Sequence, residues 1–128
     1  MINNNFNPVT ESKTLEALIE KIAGSDDVIF PVLNDDKKLI GLIYLDDIRP
    51  IIFSAFKVKY TSITEVLQLV KDKDIVDFED TIETIMNKFE TTQQIILPVV
   101  QNKIFIGFIS KSDILEKYRE QLKELVIE

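Results

Sequence analysis

Val28-Ile29-Phe30-Pro31-Val32-Leu33 and Ile95-Ile96-Leu97-Pro98-Val99-Val100 are two apolar hexapeptides of one design, each with proline at its fourth position. Both are short and rich in β-branched residues. Neither alternates apolar with polar residues, so each reads as a strand buried on both faces. Their surroundings repeat as well. Upstream, Thr14 is followed by Leu15, Leu18, Ile19 and Ile22, and at the same offset Thr81 is followed by Ile82, Ile85, Met86 and Phe89. Both sets have the i, i+3, i+4, i+7 spacing of a helix with one buried face. Either helix alone signifies only core packing; the shared offset makes the chain an internal repeat.

Downstream, turns follow at 34–38 and at Gln101-Asn102, and the offset between the copies falls by one residue across them. Leu39-Ile40-Gly41-Leu42-Ile43 then aligns with the stretch from Ile104 to Ile109, Gly107 standing opposite Gly41. These are the second strands of hairpins, and a glycine inside a strand marks a close approach by another strand or by a ligand. Asp47-Ile48 matches Asp113-Ile114, each opening a second helix. Val9-Thr10 and Ile75-Val76 read as short strands ahead of the first helices. The expected fold class is therefore α/β (α+β), built from two β-α-β-β-α repeats. Repeat 1 spans 7–56, a connecting segment spans 57–73, and repeat 2 spans 74–128 with a long C-terminal helix. In the connection, Ile63, Val66, Leu67 and Val70 predict a short helix. Ile51, Ile52 and Phe56 on the helix at 46–56, with Tyr118 and Leu122 on the last helix, exceed what a small core covers and predict a homodimer.

Composition narrows the function. Of 128 residues, 45% are hydrophobic and 29% charged, which supports a buried core and argues against wholesale disorder. The chain has no cysteine and no histidine, which removes thiolate nucleophiles, imidazole acid–base chemistry and Cys/His zinc sites. A net charge of -7 disfavours nucleic acid and anionic membrane surfaces. No apolar run approaches the roughly 18 residues of a membrane span. The Asn-rich start lacks the features of a signal peptide, and a cytoplasmic location is expected. The glycines, Gly24, Gly41 and Gly107, are too scattered for a phosphate loop. Asp26-Asp27 and Asp46-Asp47 read as solvated or capping pairs, so neither an enzyme nor a metal site is expected.

The doubled pattern of strand, Pro-Val, turn, strand, Gly-h-h-x-x-x-Asp-h and helix (h apolar) resembles a pair of cystathionine-β-synthase (CBS) domains, a Bateman module, over about residues 7–119. The resemblance implies two sheets packed with pseudo-two-fold symmetry around two clefts that take adenosine-containing ligands. Leu45-Asp46-Asp47-Ile48-Arg49-Pro50-Ile51-Ile52-Phe53 and Gly107-Phe108-Ile109-Ser110-Lys111-Ser112-Asp113 are similar to the cytoplasmic tails of bacterial chloride channels and transporters. That likeness implies a membrane pore domain as partner, at the cytoplasmic face, with ion transport as the regulated process.

The same resemblance assigns a ligand site. Asp113 would accept hydrogen bonds from ribose hydroxyls, Ser110 would contact the ribose or phosphate, and Lys111 and the helix N-terminus would offset phosphate charge. Val28 and Ile29 would flank the base, with Asn7 near them. Ser110-x-x-Asp113 is equally a capping box, which needs no ligand. In the other cleft Asp47 is kept, but Tyr44 replaces the small hydroxyl and Asp74 would repel phosphate, so that cleft is expected to be closed or to take no nucleotide. The expected ligand is AMP, ADP, ATP or another adenosine compound, and with no cluster of basic residues ATP is less expected than AMP or adenosine; no cofactor is required. Two other functions fit the sequence: a ligand-free dimerisation scaffold and a stand-alone soluble nucleotide sensor.

Overall fold

In the computed structural model, which describes residues 2–3 and 6–127, the chain forms two bodies. One is Asn5–Val70; the other is Lys71–Glu128 joined by the N-terminal Met1–Asn4. The first contains β1 (Val9–Thr10), α1 (Leu15–Ala23), β2 (Ile29–Leu33), β3 (Leu39–Tyr44), α2 (Leu45–Ile52), α3 (Ala55–Tyr60), α4 (Ile63–Val66) and β4 (Gln68–Leu69). Its sheet runs β1-β2-β3-β4, with β1 parallel to β2 and the other pairs antiparallel. The second begins with a 3-10 turn (Asp72–Asp74) and continues with β5 (Val76–Asp77), α5 (Ile82–Thr92), β6 (Ile96–Gln101), β7 (Ile104–Ser110) and α6 (Lys111–Ile127). Its sheet runs β5-β6-β7.

The repeat read from the sequence is a repeat of register. Val9 pairs with Val32 as Val76 pairs with Val99, and Val32 opposes Gly41 as Val99 opposes Gly107. Pro31 and Pro98 each stand one residue before parallel pairing begins, where a missing N–H costs the ladder little. Thr14 caps α1, its hydroxyl accepting from the Ala17 N–H at 3.2 Å, and Thr81 caps α5 through the Thr84 N–H at 3.1 Å. Such a cap stabilises by about 1 kcal/mol.

Each body has its own core. Val9, Leu15, Leu18, Phe30, Val32, Ile43, Ile48 and Ile63 are buried in the first; Val76, Ile85, Phe89, Leu97, Val99, Ile109 and Ile114 are buried in the second. The large ring changes place between them. The first body has Phe30 on the strand and Ile22 on the helix, whereas the second has Leu97 on the strand and Phe89 on the helix. Volume is conserved while its position shifts, which cores tolerate well.

Three features differ from the sequence reading. The helix expected through Val70 stops at Val66, and Gln68–Leu69 instead adds an edge strand to β3. Gly41 permits this, since a Cβ there would lie 2.7 Å from the Gln68 carbonyl oxygen and 2.6 Å from Leu67 Cδ1. The helix expected over 46–56 is broken: α2 ends at Ile52, Pro50 offers no N–H to the carbonyl four residues back, and Ser54 caps a new helix through the Lys57 N–H at 3.3 Å. Ile51 and Ile52 pack half-buried against the first core, so of that group only Phe56, 72% exposed, presents an open apolar face. Finally, the second sheet is completed from the start of the chain. Asn3 and Phe108 exchange two backbone hydrogen bonds of 2.8 Å, the position that Gln68–Leu69 holds in the first body. No helix among the described residues is long and apolar enough to cross a membrane.

Candidate functional site

Both expected site motifs lie where the last strand of a repeat turns into a helix. The junction closes the same way twice. The Leu45 N–H donates to the Val28 carbonyl at 2.9 Å, and the Lys111 N–H donates to the Ile95 carbonyl at 2.9 Å. This contact holds each helix N-terminus against the strand that carries Pro-Val. It also leaves Val28 and Ile95 outside the core, 61% and 77% exposed.

The side chains at the two junctions differ. At the first, the Asp47 carboxylate accepts from Gln68 Nε2 at 2.5 Å, a donor delivered by β4. Asp46 pairs with Arg49 one turn on. Tyr44 occupies the cap position of α2 but its hydroxyl makes no capping bond. At the second, Ser110 Oγ accepts from the Asp113 N–H at 3.2 Å and lies 3.2 Å from Ser112 Oγ. The capping role of Ser110 is therefore present. The Asp113 carboxylate is exposed and meets no hydrogen-bond or ion-pair partner among the described residues. Both of its oxygens are open, whereas one oxygen of the exposed Asp47 is already engaged by Gln68.

Charge around Asp113 is acidic. It borders a shallow depression with Glu116, Lys117 and Glu120, and Lys117 is paired with Glu120 at 3.5 Å. Lys111 points to α5, where its ammonium lies 3.6 Å from Glu90 Oε1. Lys111 and Lys117 are thus each shared with a carboxylate, a surrounding suited to hydroxyl groups more than to several phosphates.

The remaining expected residues lie in the first body. Asn7 is exposed, and its amide donates to Asp27 Oδ2 at 3.5 Å. Ile29 is half-buried and pairs with Tyr44 across β2 and β3. In the second body Asp74 caps its own 3-10 turn, accepting from the Lys71 N–H at 3.2 Å. Gln68 and Glu90 were not legible as site residues. Both act on a partner far away in the chain, at a spacing no local motif encodes.

Comparison with known proteins bears on the family and the fold. The family model described as CBS domain matches the chain twice, over residues 1–54 and 63–120. No curated protein matches. Among solved structures, protein MJ1004 from Methanocaldococcus jannaschii superposes with a TM-score of 0.75 at 19% identity, over 93% of this chain and 57% of that one. This chain therefore spans little more than half of that relative. The CBS domains of a transcriptional regulator from Streptococcus pneumoniae superpose with a TM-score of 0.68 at 17% identity, covering 91% and 92% of the two chains. A CBS domain pair/ACT domain protein from Thermotoga maritima gives 0.70 at 21% identity, covering 94% of each. At these identities the likeness is one of fold.

Proposed function

The chain belongs to the CBS-domain family, as a tandem pair of the regulatory kind, and on that premise we propose that it senses an adenosine-containing ligand through Asp113. The observation that carries this reading is the contrast between two equivalent carboxylates: Gln68 occupies Asp47, while Asp113 keeps its acceptor sites exposed on a helix that Ser110 already caps. Capping accounts for Ser110. It leaves the side chain of Asp113 with no hydrogen-bond partner among the described residues, its charge facing the helix dipole, and a ribose diol is the ligand group that such a carboxylate fits. The shared Lys111 and the acidic depression favour adenosine or AMP over ADP and ATP. Asn7, Val28 and Ile29 are proposed ligand contacts on the first body, Val28 by virtue of its exposed apolar side chain.

Such a ligand regulates by differential binding: it shifts a partner's equilibrium only by its own preference between two states. The proposed partner is the pore domain of a chloride channel or transporter at the cytoplasmic face. Its support is the likeness of the sequences around Leu45 to Phe53 and Gly107 to Asp113 to such tails. A reading frame that encodes membrane-spanning helices fused to this chain tests that attachment; a frame without them leaves a stand-alone sensor.

Calorimetric titration with adenosine, AMP, ADP, ATP and S-adenosylmethionine tests the ligand. One site is expected. Asp113→Asn should weaken it about tenfold or more, since hydrogen bonds to a charged group contribute roughly 1.5–3 kcal/mol. Asp47→Asn should leave it unchanged. If none of these ligands binds at millimolar concentration, or if both variants weaken binding equally, the ligand reading is wrong and a dimerisation scaffold takes its place. The scaffold reading has its own observation: beyond Ile114, α6 exposes Leu115, Tyr118, Leu122 and Leu125.

A further inference from the structure

The two bodies hold one lysine in the same place and surround it differently. In the second, Lys88 Nζ donates to the Ile75 carbonyl at 2.6 Å and to Asp80 Oδ2 at 2.9 Å. In the first, Lys21 is its counterpart, donating to the Pro8 carbonyl at 2.6 Å. The turn that carries Asp80 is also repeated. The Asp80 N–H donates to the Asp77 carbonyl at 2.9 Å, and the Lys13 N–H donates to the Thr10 carbonyl at 2.9 Å. The next bond matches too, Phe78 to the Val100 carbonyl at 2.8 Å and Glu11 to the Leu33 carbonyl at 2.9 Å. The backbone that presents a carboxylate to Lys88 therefore presents a second lysine beside Lys21.

The consequence is an opening. Val9, Thr10, Lys13, Ala17, Glu20 and Lys21 line a half-open cavity of about 380 Å³. The Lys13 ammonium meets no partner among the described residues, and Lys21 spends one donor on Pro8 and has two more. Two lysines against one glutamate leave the lining with a net positive charge, and an anion there offsets it while replacing the missing Asp80 carboxylate. We infer that this cavity is an anion site for a small organic oxyanion, a carboxylate or phosphate monoester on an apolar body. The apolar part rests on Val9 and Ala17, and the oxygens bridge Lys13 and Lys21. Glu20 on the lining limits the charge that fits and disfavours a polyphosphate. The site is independent of Asp113.

The test uses the whole chain, with benzoate and phenyl phosphate as probes, followed by amide chemical shifts at constant ionic strength. Saturable shifts at Thr10, Lys13, Ala17 and Lys21 are expected, with a midpoint on the order of millimolar, and the tighter probe names the headgroup. Lys13→Gln keeps the turn and should weaken binding about tenfold. Lys13→Asp rebuilds the pair found at Lys88; it should abolish binding and raise the melting temperature. Shifts that grow linearly for both probes, an unchanged midpoint in Lys13→Gln, or undiminished binding by Lys13→Asp would overturn the assignment.

Discussion

Gly107→Ala probes how the second sheet is finished. Gly107 has φ +152, a backbone state that residues with a side chain rarely adopt. A Cβ built there lies 2.5 Å from the Asn3 carbonyl oxygen, 2.7 Å from Ile2 Cγ2 and 3.1 Å from the Asn3 carbonyl carbon. Two of these contacts are with backbone, so no rotamer change relieves them. Either the N-terminal segment leaves or β7 rotates. Leaving costs the two Asn3–Phe108 hydrogen bonds, each contributing about 0.5–1.5 kcal/mol, and the packing of Ile2 on the second core. Residual backbone strain adds on the order of 1–3 kcal/mol. A total loss of roughly 2–6 kcal/mol is expected in chemical denaturation, with the Phe108 amide losing protection from hydrogen exchange. The cause is isolated by repeating Gly107→Ala in a chain lacking the first four residues. There the substitution should cost only the strain, giving a coupling of about 1–3 kcal/mol from the two hydrogen bonds. Purely additive losses, or a Phe108 amide as protected as before, would refute the view that the glycine exists to admit the N-terminal segment.

Further outcomes follow from the same geometry. Ile52→Glu should unfold the first body, because Ile52 packs on its core, whereas Leu122→Glu on α6 should leave the melting temperature within a few degrees and reduce self-association in light scattering. If Ile52→Glu yields a folded monomer, the packing described for α2 is wrong. Ser110→Ala should lower stability by about 1 kcal/mol through the lost cap and Asp113→Asn by much less, as paired thermal melts can show. Lys88→Met removes a half-buried ammonium from both Asp80 and the Ile75 carbonyl and should cost roughly 1.5–3 kcal/mol. The exposed Lys21→Met should cost less, a ranking that urea denaturation decides.

The sequence by itself determined the doubled architecture. Core helices and strands are coded locally, by the spacing of Leu15, Leu18 and Ile22 or by the unbroken run from Ile96 to Val100, and local periodicity survives folding because it states which face must leave water. It also marked Gly41 and Gly107 as places of close approach, and the Ser110 cap as one reading of its motif. Tertiary structure decided what approaches each glycine: Gln68 of β4 at Gly41 and the bridging backbone of Asn3 at Gly107, chain in both places rather than ligand. It decided that one Asp47 oxygen is engaged while Asp113 meets no partner among the described residues, because a hydrogen bond between residues 21 positions apart depends on where an edge strand lands. It decided that Ile51 and Ile52 pack half-buried against the first core instead of standing on an open face. Each of these outcomes rests on a contact between distant segments, and such contacts follow from the summed packing of the whole body, which no window of sequence contains.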